Sequence, residues 1–132
     1  MDIRTKRIYE QQDPGDGMRI LVDRLWPRGL SKEAAKVDYW ARMIAPSNEL
    51  RKWYGHDPAK WTEFQKRYAA ELDGQAEEIA LLLKKIGHGR ATFLYSSTEK
   101  KRNNAHALKY YLEERENSMK FQQKMQNTID IP

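Results

Sequence analysis

Cysteine is absent from the chain. Its absence excludes disulfides, thiolate nucleophiles and cysteine-ligated metal centres together. Histidine is nearly as scarce. His56, His88 and His106 are scattered, and no HExxH pair occurs, so no histidine-based metal site is expected. Neither the GxxxxGK[ST] phosphate loop nor the GxGxxG dinucleotide fingerprint is present, and GxSxG, the turn that carries a hydrolase nucleophile, is missing too. No cofactor is therefore expected. A triad could be drawn on paper from Ser96, His56 and Asp23, but without the nucleophile turn it carries no weight. No apolar run approaches the 20 or so residues of a membrane span. Met1 to Arg7 lacks the apolar stretch of a secretory signal, so a non-exported, cytoplasmic chain is expected.

What is present is a globular mixture. The 132 residues are 39% hydrophobic and 33% charged, enough for one domain with a single core. The net charge of +5 favours acidic partners, phosphates or nucleic acid among them.

Hydrophobic patterning gives the organisation. Ile3 to Tyr9 alternates apolar and basic residues and reads as a strand at a sheet edge. Asp13-Pro14-Gly15-Asp16-Gly17 is a dense turn signal. Met18 to Val22 and Ala91 to Tyr95 are short apolar runs that fit strands covered on both faces. Ser31 can cap a short helix over Lys32 to Ala35, and Ser47 one running to Trp53 that ends at Gly55. Val37 to Ala45 fits strand and helix equally. Asp57 and Pro58 open a helix whose face is Trp61, Phe64, Tyr68 and Leu72. After Gly74, Ala76 to Ile86 forms a second amphipathic helix. Ala105, Leu108, Tyr111 and Leu112 supply the face of a last one. Strands separated by helices imply an α/β fold: a single small domain with a short, mainly parallel sheet of three or four strands flanked by helices. The domain is expected over 1–115, followed by a polar tail over 116–132 that is loosely held or contacts a partner.

In open α/β sheets, ligands bind at the carboxyl ends of the strands. That rule selects Asp23-Arg24-Leu25-Trp26-Pro27-Arg28-Gly29 after one buried strand and Ser96 to Asn104 after the other. If those strands are neighbours, the two segments share a crevice. Arg24 and Arg28 offer planar forks of donors for phosphate or carboxylate. Trp26 offers a wall for a ring, or fills the core. Asp23 pairs an arginine or serves as a general base. Ser96, Ser97, Asn103 and Asn104 complete the candidate ligand set, with Ser97 and Thr98 equally placed as helix caps. His56 is a second candidate base, or only a helix-start residue. Lys100-Lys101-Arg102 reads as a solvated run or as a nucleic-acid contact. The expectation is an intracellular protein that binds a phosphate- or nucleotide-like small anion. The alternatives are a nucleic-acid-binding module and a non-catalytic interaction domain, and whether it is an enzyme stays open.

Several segments together carry a family resemblance: Lys6-Arg7-Ile8-Tyr9, Val22 to Ser31, Ala45-Pro46-Ser47, Leu50 to Pro58, Trp61/Phe64/Tyr68 and Asn103-Asn104-Ala105. In that order they resemble the YeaO-like proteins, a branch of a large bacterial and archaeal family, domain of unknown function 488. The resemblance spans roughly Ile3 to Glu113. It implies a small, intracellular α/β protein without an established activity or cofactor. Some relatives have been labelled transcriptional regulators, but nothing in this chain reads as a helix-turn-helix. The broader family often carries a Cys-His-Arg type signature after its late strand. The corresponding stretch, Ser96 to Asn104, has no cysteine, so thiol or metal chemistry of distant relatives is not carried over.

Overall fold

A computed structural model of the chain describes residues 1–129. Four strands, β1 (Asp2–Arg7), β2 (Met18–Leu21), β3 (Tyr39–Trp40) and β4 (Arg90–Tyr95), form one sheet in the order β1-β4-β2-β3. Every pairing is parallel. Five helices accompany them: α1 (Lys32–Ala35), α2 (Asn48–Tyr54), α3 (Trp61–Asp73), α4 (Ala76–Ile86) and α5 (Asn104–Ile129). The chain is an α/β protein.

The apolar runs sit in the middle of the sheet. Ile20, Leu21 and Val22 are fully buried, as are Phe93 and Leu94 of β4, because helices or loops cover both faces of a parallel sheet. β1 lies at an edge, where its basic residues discourage pairing with another chain. The ambiguous stretch from Val37 to Ala45 is neither one strand nor one helix. It is the two-residue β3 followed by a 3-10 turn, Arg42–Ile44, which ends before Pro46.

The two sheet faces are unequal. The larger core packs Ile20, Val22 and Phe93 against α2, α3, α4 and α5, where Tyr54 stacks on Phe64 at 4.4 Å between centroids and the buried Tyr68 hydroxyl donates to the Ile44 carbonyl at 2.6 Å. The smaller core holds Ile8, Leu21, Ala35 and Leu94, with Trp26 and Trp40 packed against it. Near it, a polar cluster takes the place of apolar contact. Arg19, 2% exposed, donates to Asp16 at 2.6 Å and to the carbonyls of Ala35 and Lys36 at 2.9 and 3.0 Å. Lys6 reaches the other Asp16 oxygen at 2.7 Å. Breaking such a buried pair on one side leaves a charge uncompensated and costs about 3–5 kcal/mol.

Caps agree with the sequence at Ser31 and Ser47, whose hydroxyls accept from the Ala34 and Leu50 N–H groups. Asp57 caps a 3-10 turn, Pro58–Lys60, that leads into α3, not α3 itself. At the carboxyl end, the expected boundary after Arg115 falls inside a continuous helix. From Glu116 onward α5 runs for about 20 Å at 1.5 Å per residue, with Met119 and Phe121 exposed. Residues 130–132 lie outside the described residues.

Gly17 holds the turn into β2 with φ +66°, and a Cβ there would meet the Arg90 carbonyl oxygen at 2.2 Å. Gly29 has φ +78° with open space around it. Gly17→Ala should therefore lose about 3 kcal/mol or more in urea unfolding, because backbone must move. Gly29→Ala should lose only about 1–2 kcal/mol of left-handed strain.

Burial alone would raise the Asp16 carboxyl. Hydrogen bonds from Lys6, the Asp13 backbone and Arg19 outweigh it and hold the carboxyl below its ordinary value of 3.8. A depressed carboxylate stabilises the fold above its unfolded pKa, and that stabilisation is lost as pH falls through the folded value. The urea midpoint of the native protein should thus fall more steeply below about pH 4 than that of Asp16→Asn.

Candidate functional site

Strands β2 and β4 are neighbours, with Leu21 opposite Leu94, so the loops that follow them meet. Where they meet lies a cavity of about 370 Å³. It is lined by Asp23, His56, Arg24, Trp26, Arg28, Ser96, Ser97, Asn103 and Asn104, all residues selected from the sequence. Four arginines (Arg7, Arg24, Arg28 and Arg51) face a single carboxylate, and Pro27, Pro46, Tyr54 and Phe64 supply apolar wall.

That carboxylate is engaged. Asp23 Oδ2 accepts from the Ser96 backbone N–H at 2.9 Å and the Ser96 hydroxyl at 2.7 Å, while Oδ1 accepts from the Asn104 side-chain amide at 2.9 Å. The same amide donates to the Val22 carbonyl at 2.9 Å, and Trp40 donates its indole N–H to the Asp23 carbonyl at 2.7 Å. Asp23 therefore ties the ends of β2 and β4 to the first turn of α5. It pairs with neither Arg24 nor Arg28 among the described residues, contrary to one sequence expectation. The reason is geometric: parallel neighbours put the Ser96 N–H directly across from the Asp23 side chain.

The arginines divide by what lies near them. Arg24 donates Nε to the Pro46 carbonyl at 3.0 Å and Nη2 to the Ala45 carbonyl at 2.9 Å, which fixes the loop entering α2. Glu71 holds the same loop from α3 through the Ser47 N–H at 2.9 Å and hydroxyl at 2.6 Å. Arg28 is exposed, and its guanidinium makes no hydrogen bond or ion pair with any described residue; only its carbonyl is held, by the Tyr9 hydroxyl at 2.8 Å. Trp26 is half-buried. It meets Trp40 edge-on at 5.4 Å and donates to the Leu30 carbonyl at 2.7 Å, so it belongs to the smaller core and to the lining at once.

Ser97 and Thr98 do not cap a helix, because α5 begins six residues later. Ser97 Oγ accepts from the Glu99 N–H at 3.0 Å, and the cap of α5 is Asn103, whose Oδ1 accepts from the His106 N–H at 3.1 Å. The basic run is folded around Glu99. The Arg102 and Lys101 backbone N–H groups hold that carboxyl below its ordinary value, and the Lys100, Lys101 and Arg102 side chains are exposed outside the cavity. His56 follows the left-handed Gly55 and is itself left-handed at φ +58°, which sets its ring at the cavity wall, Nδ1 3.5 Å from Ser97 Oγ. The paper triad does not form, since Asp23 binds Ser96 while His56 approaches Ser97. Among the described residues no cluster of three or more metal-ligating side chains occurs.

Sequence reasoning missed Arg7, Tyr9, Arg51 and Tyr54. Arg7 and Tyr9 follow the same strand-end rule, since β1 is parallel to β4; what the sequence lacked was that adjacency.

The family model described as the inactive DUF488-N3 subclade matches residues 2–129. The chain belongs to this family. It is 42% identical to an uncharacterized protein of Mycobacterium tuberculosis H37Rv over 106 residues, 80% of this chain and 89% of that one. It is 38% identical to the uncharacterized protein YeaO of Escherichia coli K12 over 112 residues, 85% and 97% of the two chains. No solved structure matches the chain.

A buried polar group left without its partner, an N–H without its acceptor at Asp23 or a carbonyl without its donor at Arg24, costs about 1–3 kcal/mol. Asp23→Ala and Arg24→Ala should each lose stability on that scale in chemical denaturation. Arg28→Ala should stay within about 0.5 kcal/mol of the native protein, as a surface substitution does.

Proposed function

We propose that this chain binds a small phosphorylated, nucleotide-like anion in the cavity at the carboxyl ends of β2 and β4, and does so without turning it over. The observation that carries the reading is the unpaired Arg28 guanidinium on a wall with three other arginines and one fully hydrogen-bonded carboxylate. An always-charged, planar donor fork with no protein partner is matched to phosphate. The volume falls within the range of small-molecule sites, and the apolar wall with Trp26 suits a ring beside the anion.

Binding is favoured over catalysis by the state of the two candidate bases. Asp23 is held by three donors, and His56 has no carboxylate partner among the described residues to orient it as a triad histidine is oriented. The family's description as an inactive subclade supports the same reading. The chain is proposed to act in the cytoplasm, where such metabolites are abundant. A nucleic-acid role rests on the exposed Lys100-Lys101-Arg102 run beside the cavity, and salt separates the two readings. Binding through phosphate neutralisation along a strand weakens steeply between about 50 and 200 mM salt.

A thermal-shift panel of nucleotides and sugar phosphates tests the proposal, since a ligand at about 100 times its Kd adds about 2.7 kcal/mol. At least one member should raise Tm, and Arg28→Ala should weaken its binding about ten- to a hundredfold, the equivalent of one charge-assisted contact. A flat panel contradicts the reading. So does an unchanged affinity in Arg28→Ala.

A further inference from the structure

Tyr9 links a second cation of the cavity lining, Arg7, to the backbone of Arg28. The Arg7 guanidinium lies over the Tyr9 ring at 4.6 Å, and the Tyr9 hydroxyl donates to the Arg28 carbonyl at 2.8 Å. Arg7 Nε donates to the carbonyls of Ser96 and Ser97 at 3.1 and 3.0 Å, which fixes the guanidinium against the loop after β4. Neither terminal nitrogen of Arg7 has a partner among the described residues, and the side chain lines the cavity. Ser97, whose carbonyl Arg7 holds, presents its hydroxyl beside His56. Arg28, Tyr9, Arg7 and Ser97 thus form one connected rim, on which two guanidiniums offer donors without a hydrogen-bond partner among the described residues; the Glu10 carboxylate accepts from the Arg7 backbone N–H at 3.0 Å and does not line the cavity.

We infer that this rim is a clamp for a phosphate monoester, and that the ligand is a small molecule carrying a terminal phosphate. The inference rests on the anion-binding reading above and narrows it. A terminal phosphate has a second pKa near 6, so at neutral pH it carries close to two charges and three free oxygens. A phosphodiester carries one charge and two. Two forks with four terminal nitrogens free of hydrogen-bond partners, one fixed at Arg7 and one free to turn at Arg28, match the first, since bidentate pairing saturates both forks only with the extra oxygen. A cavity of about 370 Å³ is at the small end of ligand sites, which favours a free mononucleotide or sugar phosphate over a polymer end. Arg24 is outside the clamp because its donors are on the Ala45 and Pro46 carbonyls.

Calorimetric titration of the full chain tests this with the four ribonucleoside 5′-monophosphates, ribose 5-phosphate, the matching 3′,5′-cyclic monophosphates and a short 5′-phosphorylated oligonucleotide. At least one monoester should bind, with its cyclic diester about tenfold weaker or more. Arg7→Lys keeps the charge but removes the fork. It should shrink the monoester-to-diester ratio towards one, a readout that a purely structural role for Arg7 would not move. Diester binding within about threefold of monoester overturns the inference while leaving the anion pocket standing. So does an unchanged ratio in Arg7→Lys. An oligonucleotide that binds more tightly than every monomer overturns the small-molecule assignment, and no binding by any probe overturns both readings.

Discussion

The Asp23 carboxylate is the interaction on which the site depends. A parallel sheet leaves the N–H groups at its strand ends without ladder partners, and each one buried without an acceptor destabilises the fold. Asp23 supplies that acceptor to Ser96 across the β2–β4 boundary and takes a second hydrogen bond from Asn104 at the start of α5. Three segments distant in sequence thereby converge on one side chain. The cavity is the space that remains above it.

From that arrangement follows the division of labour among residues of one type. Arg24 emerges next to Asp23, turns towards the loop entering α2 and finds two backbone carbonyls. Arg28 lies beyond the turn, exposed, and its guanidinium bonds to no described residue. Arg7 is intermediate: its Nε is fixed by the β4 loop and its terminal nitrogens are open to the cavity. Electrostatic identity is the same in all three; which is structural and which is available is set by the backbone within reach. Towards the opposite end of the sheet a charged pair takes the buried position, Arg19 against Asp16.

Much of this was legible in the chain. Uninterrupted apolar runs at Ile20-Leu21-Val22 and Phe93-Leu94 marked the central strands because burial on both faces removes the alternation of a half-exposed strand. Ser31 and Ser47 marked helix starts because their hydroxyls answer orphan N–H groups. The rule that parallel strands bind at their carboxyl ends selected the two segments, Asp23 to Gly29 and Ser96 to Asn104, that supply ten of the cavity's lining residues. Strand order was not legible, since nothing local encodes that β1 lies beside β4, and with it Arg7 and Tyr9 were lost. Ser97 and Thr98 were read as caps because the polar run before α5 contains several residues able to cap; that Asn103 does so depends on where the helix starts. The long polar end of α5 lacks the apolar periodicity that announces a helix, and continues one whose buried turns lie earlier.

The central claim is that the ends of β2 and β4, held by Asp23, form an anion site. Amide and side-chain NMR shifts measured while the protein is titrated with nucleoside 5′-monophosphates and ribose 5-phosphate test it most directly. The account predicts saturable shifts concentrated at the Trp26 indole, the Arg7 and Arg28 Nε–H groups and the Ser96–Ser97 amides. Shifts confined to Lys100 through Arg102 or to the outer turns of α5, or none at all, would contradict it.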